Sequence, residues 1–479
     1  MEVGVLKGLR ILLLRFLGQF DDCFATCKGR KSFRTYVEGQ LGHLERKSVE
    51  PMADAAGVPP RTLQEFLSHV VWEEDAVRDR IQSRVRRKHC GGETVGVIDE
   101  TSFPKKGTET ACVQRQYCGA TGKVDNCVVS VNLALARGNF HTLIDSRLYL
   151  PESWHEDRSR CRKVGIPEDV VYRPLHRIAL EEIETARDNR VRLDWITSDE
   201  RYGAVPEFLE TLEDWGLSYV IEVPKTVTGW CVHPPIWNDP SEVPGTLARR
   251  PRNFPCVSTG ARPPQTAEQI ADGSRQMTSQ PWTTFKVKET LKGPEVWSVR
   301  ICRFYHNRGG LPSRLLHLIV AVQPLMGTTK YFLAHGPEGT TMETFLRVAF
   351  TRWRVERCFE DTKGELGMDH FEARRYLSIK RHLIVTMVSH LFLAEQTQRL
   401  RGKKRRGLLP LDLPASEGDR CRAEHARSPA EDASEATREA GRSHQSDPGE
   451  NRTGSSERSQ ESAEATAGAG IPRQRATKL

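Results

Sequence analysis

Asp99 in TVGVIDETSFPKKG and Asp199 in LDWITSDERYG are the acids whose setting most invites chemistry. Each follows an apolar, β-branched run and precedes a Gly-containing turn, so each is expected at the C-terminal end of a strand. A third acid, Glu356 in RWRVERCFEDTKGELG, is expected on a helix. Three carboxylates gathered from strand ends and a helix can hold two divalent ions. Two such ions about 4 Å apart serve the attacking and departing oxygens of an in-line phosphoryl transfer. Mg2+ prefers carboxylate and water oxygens to nitrogen or sulfur, so two Mg2+ ions are the expected cofactors, with Mn2+ as a substitute. Each acid also has a plainer reading. Asp99 can cap a turn, Asp199 can be a surface acid, and Glu360 and Asp361 compete with Glu356. Glu100 is expected to point to the other side of the strand from Asp99.

These acids need elements to position them. Residues 1–90 are predicted to be helical, with the apolar face of Leu9, Leu12, Leu13, Phe16, Leu17 and Phe20 marking an amphipathic packing helix rather than a leader. Within this region Val49, Met52, Ala53 and Ala56 form one short face and Gly57 breaks it. Pro59 and Pro60 open a second helix with Leu63, Phe66, Leu67 and Val70 on its inner side. Pro is tolerated in a first helical turn because its missing N–H has no partner there. The pattern is that of a helix-turn-helix. If it binds DNA, Arg61, Thr62, Gln64 and Glu65 lie on its exposed side, where groove readers sit; a plain helical hairpin is the alternative.

Residues 91–225 alternate strands and helices: TVGVID, then a hairpin in RQYCGATGKVDNCVVSVNLAL with a Thr-Gly turn, then a helix near Ile178–Asn189, the strand LDWITSD, a helix capped by Gly216, and the strand LSYVIEVP. That order predicts a mixed sheet with helices on its faces. Residues 226–335 are Pro-rich, then basic, then strand-like, and are expected to form a β-rich insertion. Helix returns over 336–400. From 401 a basic run, RGKKRRG, leads into a segment without aromatic residues that cannot offset its ordering entropy, so 401–479 is predicted to be a disordered tail.

The chain has 479 residues, a net charge of +8 and a pI near 8.9, which suits a nucleic-acid partner without proving one. Its 12 Cys contain no CxxC pair, so a zinc-ligand set is not expected and a reducing cytoplasm fits better than secretion. No apolar run is expected to be long enough to span a membrane.

Residues 35–400 together resemble the DDE transposases of bacterial insertion sequences, in particular the group with a Tyr-Arg-Glu-Lys helix signature. IDETSFPKKG resembles the first-Asp motif and RQYCGATGKVDNCVVSVNLAL the hairpin after it. RLYLPESWHEDRSRC and GIPEDV resemble the next block, SDERYG the second-Asp motif, and RWRVERCFEDTKGELGMDHFEARRY the Glu helix. Each motif is weak alone; their order along the chain is specific. The signature places Arg four positions before the Glu and Lys seven after it, which selects Glu356 with Arg352 and Lys363. Its Tyr falls at Ala349, with Phe350 beside it, and this departs from the family.

The resemblance implies an RNase H-like core, a mixed five-stranded sheet flanked by helices and interrupted by the β-rich insertion, with an N-terminal helical DNA-binding domain. It implies a metal site of Asp99, Asp199 and Glu356, with phosphate contacts from Arg352 and Lys363. Lys105 and Lys106, just after Asp99, are read from their position as phosphate contacts, with an exposed turn as the alternative, and Arg61 and Gln64 as DNA contacts of the N-terminal domain. The implied activity is hydrolysis at an element's terminal inverted repeats, then 3′-OH strand transfer into target DNA. A homodimer would act on double-stranded DNA in the bacterial cytoplasm, associated with the nucleoid. The rivals are an inactive, transposase-derived DNA-binding protein and a stand-alone metal-dependent nuclease. Trp282 and Trp297 are expected to pack in the core, with base stacking as the alternative, and His155 and His370 are expected to be structural.

Overall fold

The computed structural model describes residues 3–244, 253–290 and 293–407. The tail expected to be disordered lies, from residue 408 onward, outside the described residues, as does much of the basic stretch before Pro255. The first helices are α1 (Val3–Leu17), α2 (Cys27–Leu41), α3 (Val49–Ala55), α4 (Pro60–Ser68) and α5 (Glu74–His89). The predicted inner faces are buried at Leu13, Phe16, Leu17 and Phe20, at Met52 and Ala53, and at Leu63, Phe66 and Leu67. Gly57, at φ +62°, makes the left-handed turn between α3 and α4 that a side chain would resist.

The sheet begins with β1 (Val95–Pro104), β2 (Gln114–Cys118), β3 (Lys123–Arg137) and β4 (Phe140–Leu148). The β2–β3 hairpin closes at Thr121-Gly122, as expected. Short helices α6 (Glu152–Glu156) and α7 (Arg158–Lys163) precede α8 (Leu175–Asp188). Then come β5 (Trp195–Thr197), α9 (Glu200–Gly203), α10 (Pro206–Asp214) and β6 (Ser218–Val223). In space the order is β4-β3-β1-β5-β6. β4, β3 and β1 are antiparallel neighbours, whereas β1, β5 and β6 run parallel.

The sheet does not stop at five strands. The segment expected as an insertion supplies β7 (Thr228–Trp230), β8 (Ile236–Trp237), β9 (Cys256–Val257), β10 (Gln265–Thr266), α11 (Ala267–Gly273), α12 (Arg275–Thr278), β11 (Thr283–Thr290), β12 (Gly293–Arg308), β13 (Leu311–Pro312), β14 (Leu316–Gln323) and β15 (Thr328–His335). β8 and β9 pair with each other, and the rest of these strands extend the main sheet to thirteen strands among the described residues. β15 pairs antiparallel with β6, Leu333 opposite Ile221. This covers backbone groups that β6 would otherwise expose as a sheet edge.

The chain returns through α13 (Met342–Thr351), α14 (Trp353–Glu360), a π-type turn over Asp361–Glu365, and α15 (Tyr376–Gly407). RGKKRRG therefore continues α15 instead of opening the tail. Against the expectation of no membrane-length run, α15 is long and apolar enough over Tyr376–Arg401 to span one. Most of that stretch is instead buried within the fold. It carries polar groups that a lipid environment would penalise: His382 Nδ1 lies 2.8 Å from Tyr36 Oη, and Gln40 of α2 donates to Thr386 Oγ1 at 2.7 Å and accepts from Ser389 Oγ at 2.8 Å. Arg381 pairs with Glu74 at 2.6 Å and donates to the carbonyls of Val70 and Trp72 at 2.8 and 2.9 Å. The N-terminal helices thus wrap a core helix whose other side packs on β4, and one hydrophobic core runs from Leu13 to Phe392.

Candidate functional site

Asp99 lies in the middle of β1, not at its end; what ends beside it is the neighbouring strand. β1 and β5 pair in parallel at Val95–Trp195, Gly96–Ile196 and Val97–Thr197. Extending that register by two residues sets Asp99 opposite Asp199. Side chains alternate along a strand, so both carboxylates leave the sheet on one face, where β5 has given way to α9. Asn132 of β3, paired with Asp99, continues the row, accepting from Ser146 Oγ at 2.7 Å.

Asp199 is the N-cap of α9: its Oδ1 accepts from the Arg201 N–H at 3.1 Å. A cap uses one carboxylate oxygen and leaves the other. The glycine of SDERYG has a steric reason. A Cβ on Gly203 would sit 2.0 Å from the Glu222 carbonyl oxygen of β6, so only glycine lets α9 lie this close to the sheet and hold its cap in place. Tyr202, one residue earlier, donates its hydroxyl to Glu100 Oε2 at 3.1 Å, and Arg201 pairs with Glu100 Oε1 at 3.1 Å.

Glu100 therefore corrects the expectation that it turns away from the site. One carboxylate oxygen each from Asp99, Glu100 and Asp199 lies within 4.8 Å of the others. The sheet faces do alternate: Glu100 is in register with Val131 and, through it, Arg147, which pairs with Glu181 of α8 at 3.1 Å. But β1 has no β5 neighbour at Glu100, and the longer side chain reaches the cluster past that open edge.

The electrostatics suit a cation. Burial pushes the Asp99 carboxyl up to about 8; Arg352 pulls against this, and Glu100 and Asp199 add to it. Burial also raises Glu100, helped by Asp199, and burial raises Asp199 against the pull of Arg352 and Arg201. Three half-buried acids that resist ionising together would be relieved by a divalent ion among them, and carboxylate donors fit Mg2+.

Glu356 stands apart from this trio. Arg352, at the junction of α13 and α14, reaches Asp99 Oδ2 at 3.4 Å with one nitrogen and Glu356 Oε1 at 3.2 Å with another. The guanidinium therefore lies between the sheet acids and the helix acid, whose side chain is 55 % exposed. Asp99, Arg352 and Glu356 line a cleft of about 950 Å3 with Glu100, Arg201, Tyr117, Tyr149, Phe359 and Lys363, and Asp199 is not part of its wall. Glu360 lines it too, but pairs with Arg357 at 2.9 Å. Lys363 is not on the same regular helix as Glu356. It sits in the π-type turn, where it donates to the Ser102 carbonyl at 3.1 Å, and burial lowers its pKa.

Other sequence candidates lie elsewhere. Lys105 donates to the Phe371 carbonyl at 2.7 Å and covers the Phe371 ring; burial lowers it to about 8. Lys106 is exposed, and neither lysine lines the cleft. Arg61 and Gln64 are exposed on α4, as expected, with Arg61 paired to Glu65 at 2.8 Å. Trp297 is buried against Phe350, as expected, whereas Trp282, expected in the core, is 43 % exposed with Arg300 over its ring. His370 accepts from the Lys47 N–H at 3.0 Å. Sequence reasoning missed Arg201 and Tyr117. Tyr117's exposure follows from the in-and-out alternation of β2, legible only once that strand is known to be an edge.

Comparison with known proteins agrees with this geometry. A family model described as DDE superfamily endonuclease matches residues 19–294, more than half of the chain. The match spans Asp99 and Asp199 and ends before Glu356. A probable transposase for insertion sequence element IS701 from Microchaete diplosiphon is 24% identical over 206 residues, which are 43% of this chain and 51% of that protein. The chain thus matches about half the length of that relative. Among solved structures, a piggyBac transposase synaptic complex with hairpin DNA aligns over 85% of this chain and 77% of its own, at 11% identity and a TM-score of 0.36, too loose to carry an argument. With its paired aspartates in register and a family model over most of the sheet that holds them, the chain belongs to the DDE superfamily of endonucleases, as the resemblance of its motifs to insertion-sequence DDE transposases implied.

Proposed function

We propose that this chain is the DNA transposase of an insertion sequence, cutting at the element's terminal inverted repeats and joining the freed 3′-OH to target DNA. The observation that carries this is the register of Asp99 with Asp199 on one sheet face, with Arg352 bridging Asp99 to Glu356 beside them. The strand order β4-β3-β1-β5-β6 supports reading the first five strands as an RNase H-like core, with the later strands as an elaboration of it.

Asp99, Asp199 and Glu356 would hold two Mg2+ ions; when bound, these supply charge stabilisation to the attacking and departing oxygens. Arg352 is placed to grip a phosphate as a fork once a metal relieves it of Asp99. Glu100, with both oxygens engaged by Arg201 and Tyr202, orients rather than ligates. Lys363 adds a positive charge to the lining of the cleft. The exposed side of α4, with Arg61 and Gln64, is the proposed contact to the terminal repeats, and Lys106 a phosphate contact outside the cleft. Joining two ends calls for two active sites, hence a homodimer on DNA, acting at the nucleoid in the bacterial cytoplasm.

The test is an end-cleavage and strand-transfer assay in Mg2+ on the DNA bordering the coding region, comparing wild type with Asp199→Asn. Asn still caps a helix, so the variant should fold while losing the charge. Cleavage and joining by wild type, lost in the variant, support the reading. DNA binding without cleavage by wild type would instead identify an inactive, DNA-binding relative, and cleavage without joining a nuclease.

A further inference from the structure

The described cysteines are free thiols, yet two of them meet in the strand-rich segment. β7 and β12 pair antiparallel, with Trp230 opposite Tyr305. Extending that register by one residue sets Cys231 opposite Phe304. Cys302 lies two residues further along β12, so alternation puts it on the face that Cys231 shares. Diagonal neighbours on one face are within reach of each other, and β7 ends at Trp230, which leaves the Cys231 backbone outside the ladder. The Cys302 thiol is a hydrogen-bond donor to the Cys231 sulfur. Ser274 Oγ lies 3.5 Å from the same sulfur, and Gln276 donates to the Cys231 carbonyl at 3.3 Å. The hydrogen bond from Cys302, against burial and with help from Ser274, lowers the Cys231 thiol to about 6. The same bond, with burial, raises Cys302. Cys231 is partly exposed and Cys302 only 5 % exposed. Cys118 and Cys127 pack together too, but both are fully buried and closed to a reagent.

We infer that Cys231 and Cys302 form a redox-active dithiol that a low-molecular-weight disulfide converts to an intramolecular disulfide, with Cys231 attacking and Cys302 resolving. The thiolate is the nucleophile in such exchange, and the exposed, thiolate-prone member of the pair is Cys231. Its sulfur attacks one sulfur of the reagent. The reagent's S–S bond breaks, and the first half leaves as a thiolate that takes a proton from water. A mixed disulfide remains on Cys231. Cys302, already beside that sulfur, attacks it. The mixed S–S bond breaks, and the second half leaves with the proton of Cys302. Two protein thiols are oxidised and one small disulfide is reduced to two thiols. The bridge ties the exit of β7 to β12 and closes a loop in the unfolded chain, which stabilises the fold. β12 joins β6 through β14 and β15, so the outer strands of the sheet become harder to open when the surrounding thiol pool is oxidised. The alternative is a pair of packing thiols with no exchange chemistry.

The experiment uses the full chain, reduced, freed of reductant and incubated at pH 7 with oxidised glutathione. Remaining thiols are alkylated in denaturant, and proteolytic peptides are mapped by mass. Wild type should yield two peptides joined through Cys231 and Cys302, and dithiothreitol should return both as alkylated thiols. Cys302→Ser should stop at glutathione on Cys231, and Cys231→Ser should leave Cys302 alkylated. Oxidation should raise the Tm of wild type by a few degrees relative to its effect on Cys302→Ser, which carries the same adducts elsewhere; no such difference overturns the stabilising role. Alkylation of both Cys231 and Cys302 in oxidised wild type identifies packing thiols and overturns the inference. Glutathione that persists on Cys231 of wild type, or a bridge from Cys231 to another cysteine, overturns it as well. The wild-type peptide map decides by itself if a serine variant fails to fold. No readout involves DNA, so the result stands or falls apart from the transposase reading.

Discussion

Asp99→Asn offers a direct test of how the acid cluster is held, because its effect can be worked out in sign and size. The folded-state pKa of Asp99 is raised from 3.8 to about 8, chiefly by burial. The folded chain therefore holds a proton that the unfolded chain has released between about pH 4 and pH 8, and stability falls as pH rises through that window. At about 1.4 kcal/mol per pKa unit, the four units amount to about 6 kcal/mol across the whole window, of which about 2–3 kcal/mol falls between pH 6 and 8.5. In a fold of this size that is a few degrees in Tm. Glu100 and Asp199, also raised, act in the same sense. Mg2+ binds the ionised acids, so it should raise Tm more at pH 8.5 than at pH 6. Asn is neutral throughout: the variant should lose much of the decline between pH 6 and 8.5, be more stable than wild type at pH 8.5 without metal, and respond weakly to Mg2+. Thermal unfolding at the two pH values, with EDTA or Mg2+, measures all three. The difference between the two proteins cancels the titration of the buried histidines. A metal-free wild type that is no less stable at pH 8.5 than at pH 6, or a full Mg2+ response in the variant, would refute the reasoning.

Three other expectations follow from single contacts. Arg352→Ala removes the cation that lowers the Asp99 pKa, so the pH at which Mg2+ begins to stabilise the protein should move upward, and end cleavage should fall sharply; Tm against pH and the cleavage assay report the two effects. Gly203→Ala forces a Cβ to within 2.0 Å of a strand carbonyl. It should cost about 1–3 kcal/mol or more in unfolding free energy and, by displacing the Asp199 cap, abolish Mg2+ stabilisation; retention of that stabilisation would separate α9 from the metal site. Arg381→Ala leaves Glu74 buried without its 2.6 Å partner and strips several carbonyls of a donor. Denaturant unfolding should show a loss of about 3–5 kcal/mol, whereas a loss below about 1 kcal/mol would mean that α15 does not depend on this anchor.

Much of the local structure was legible because it rests on short-range patterns. The Thr-Gly hairpin turn, the Gly216 cap, the inner faces of α1, α3 and α4, and the identity of Asp99 and Asp199 all follow from alternation, turn chemistry and motif order within about 20 residues. The long-range features were not. Nothing in VGVIDETSF says that β1 continues past Asp99, since that depends on β3 pairing with it as far as Cys127. Nothing in the strand-rich segment says that β15 will close the edge of β6. The apolar stretch of α15 could be recognised as a core helix only once α2, α4 and α5 were seen to pack against it, with β4 on another side.

The sequence by itself determined which acids could do chemistry and which elements carry them, because residue type, period and spacing are local properties of the chain. Only the tertiary structure decided how those acids meet. The parallel register of β1 with β5 aligns two aspartates 100 residues apart. The ending of β5 lets Glu100 join them, and the placement of α14 sets Arg352, rather than Glu356, directly against Asp99. Each depends on strand pairing and close packing between distant segments, and such contacts are settled by the whole fold at once.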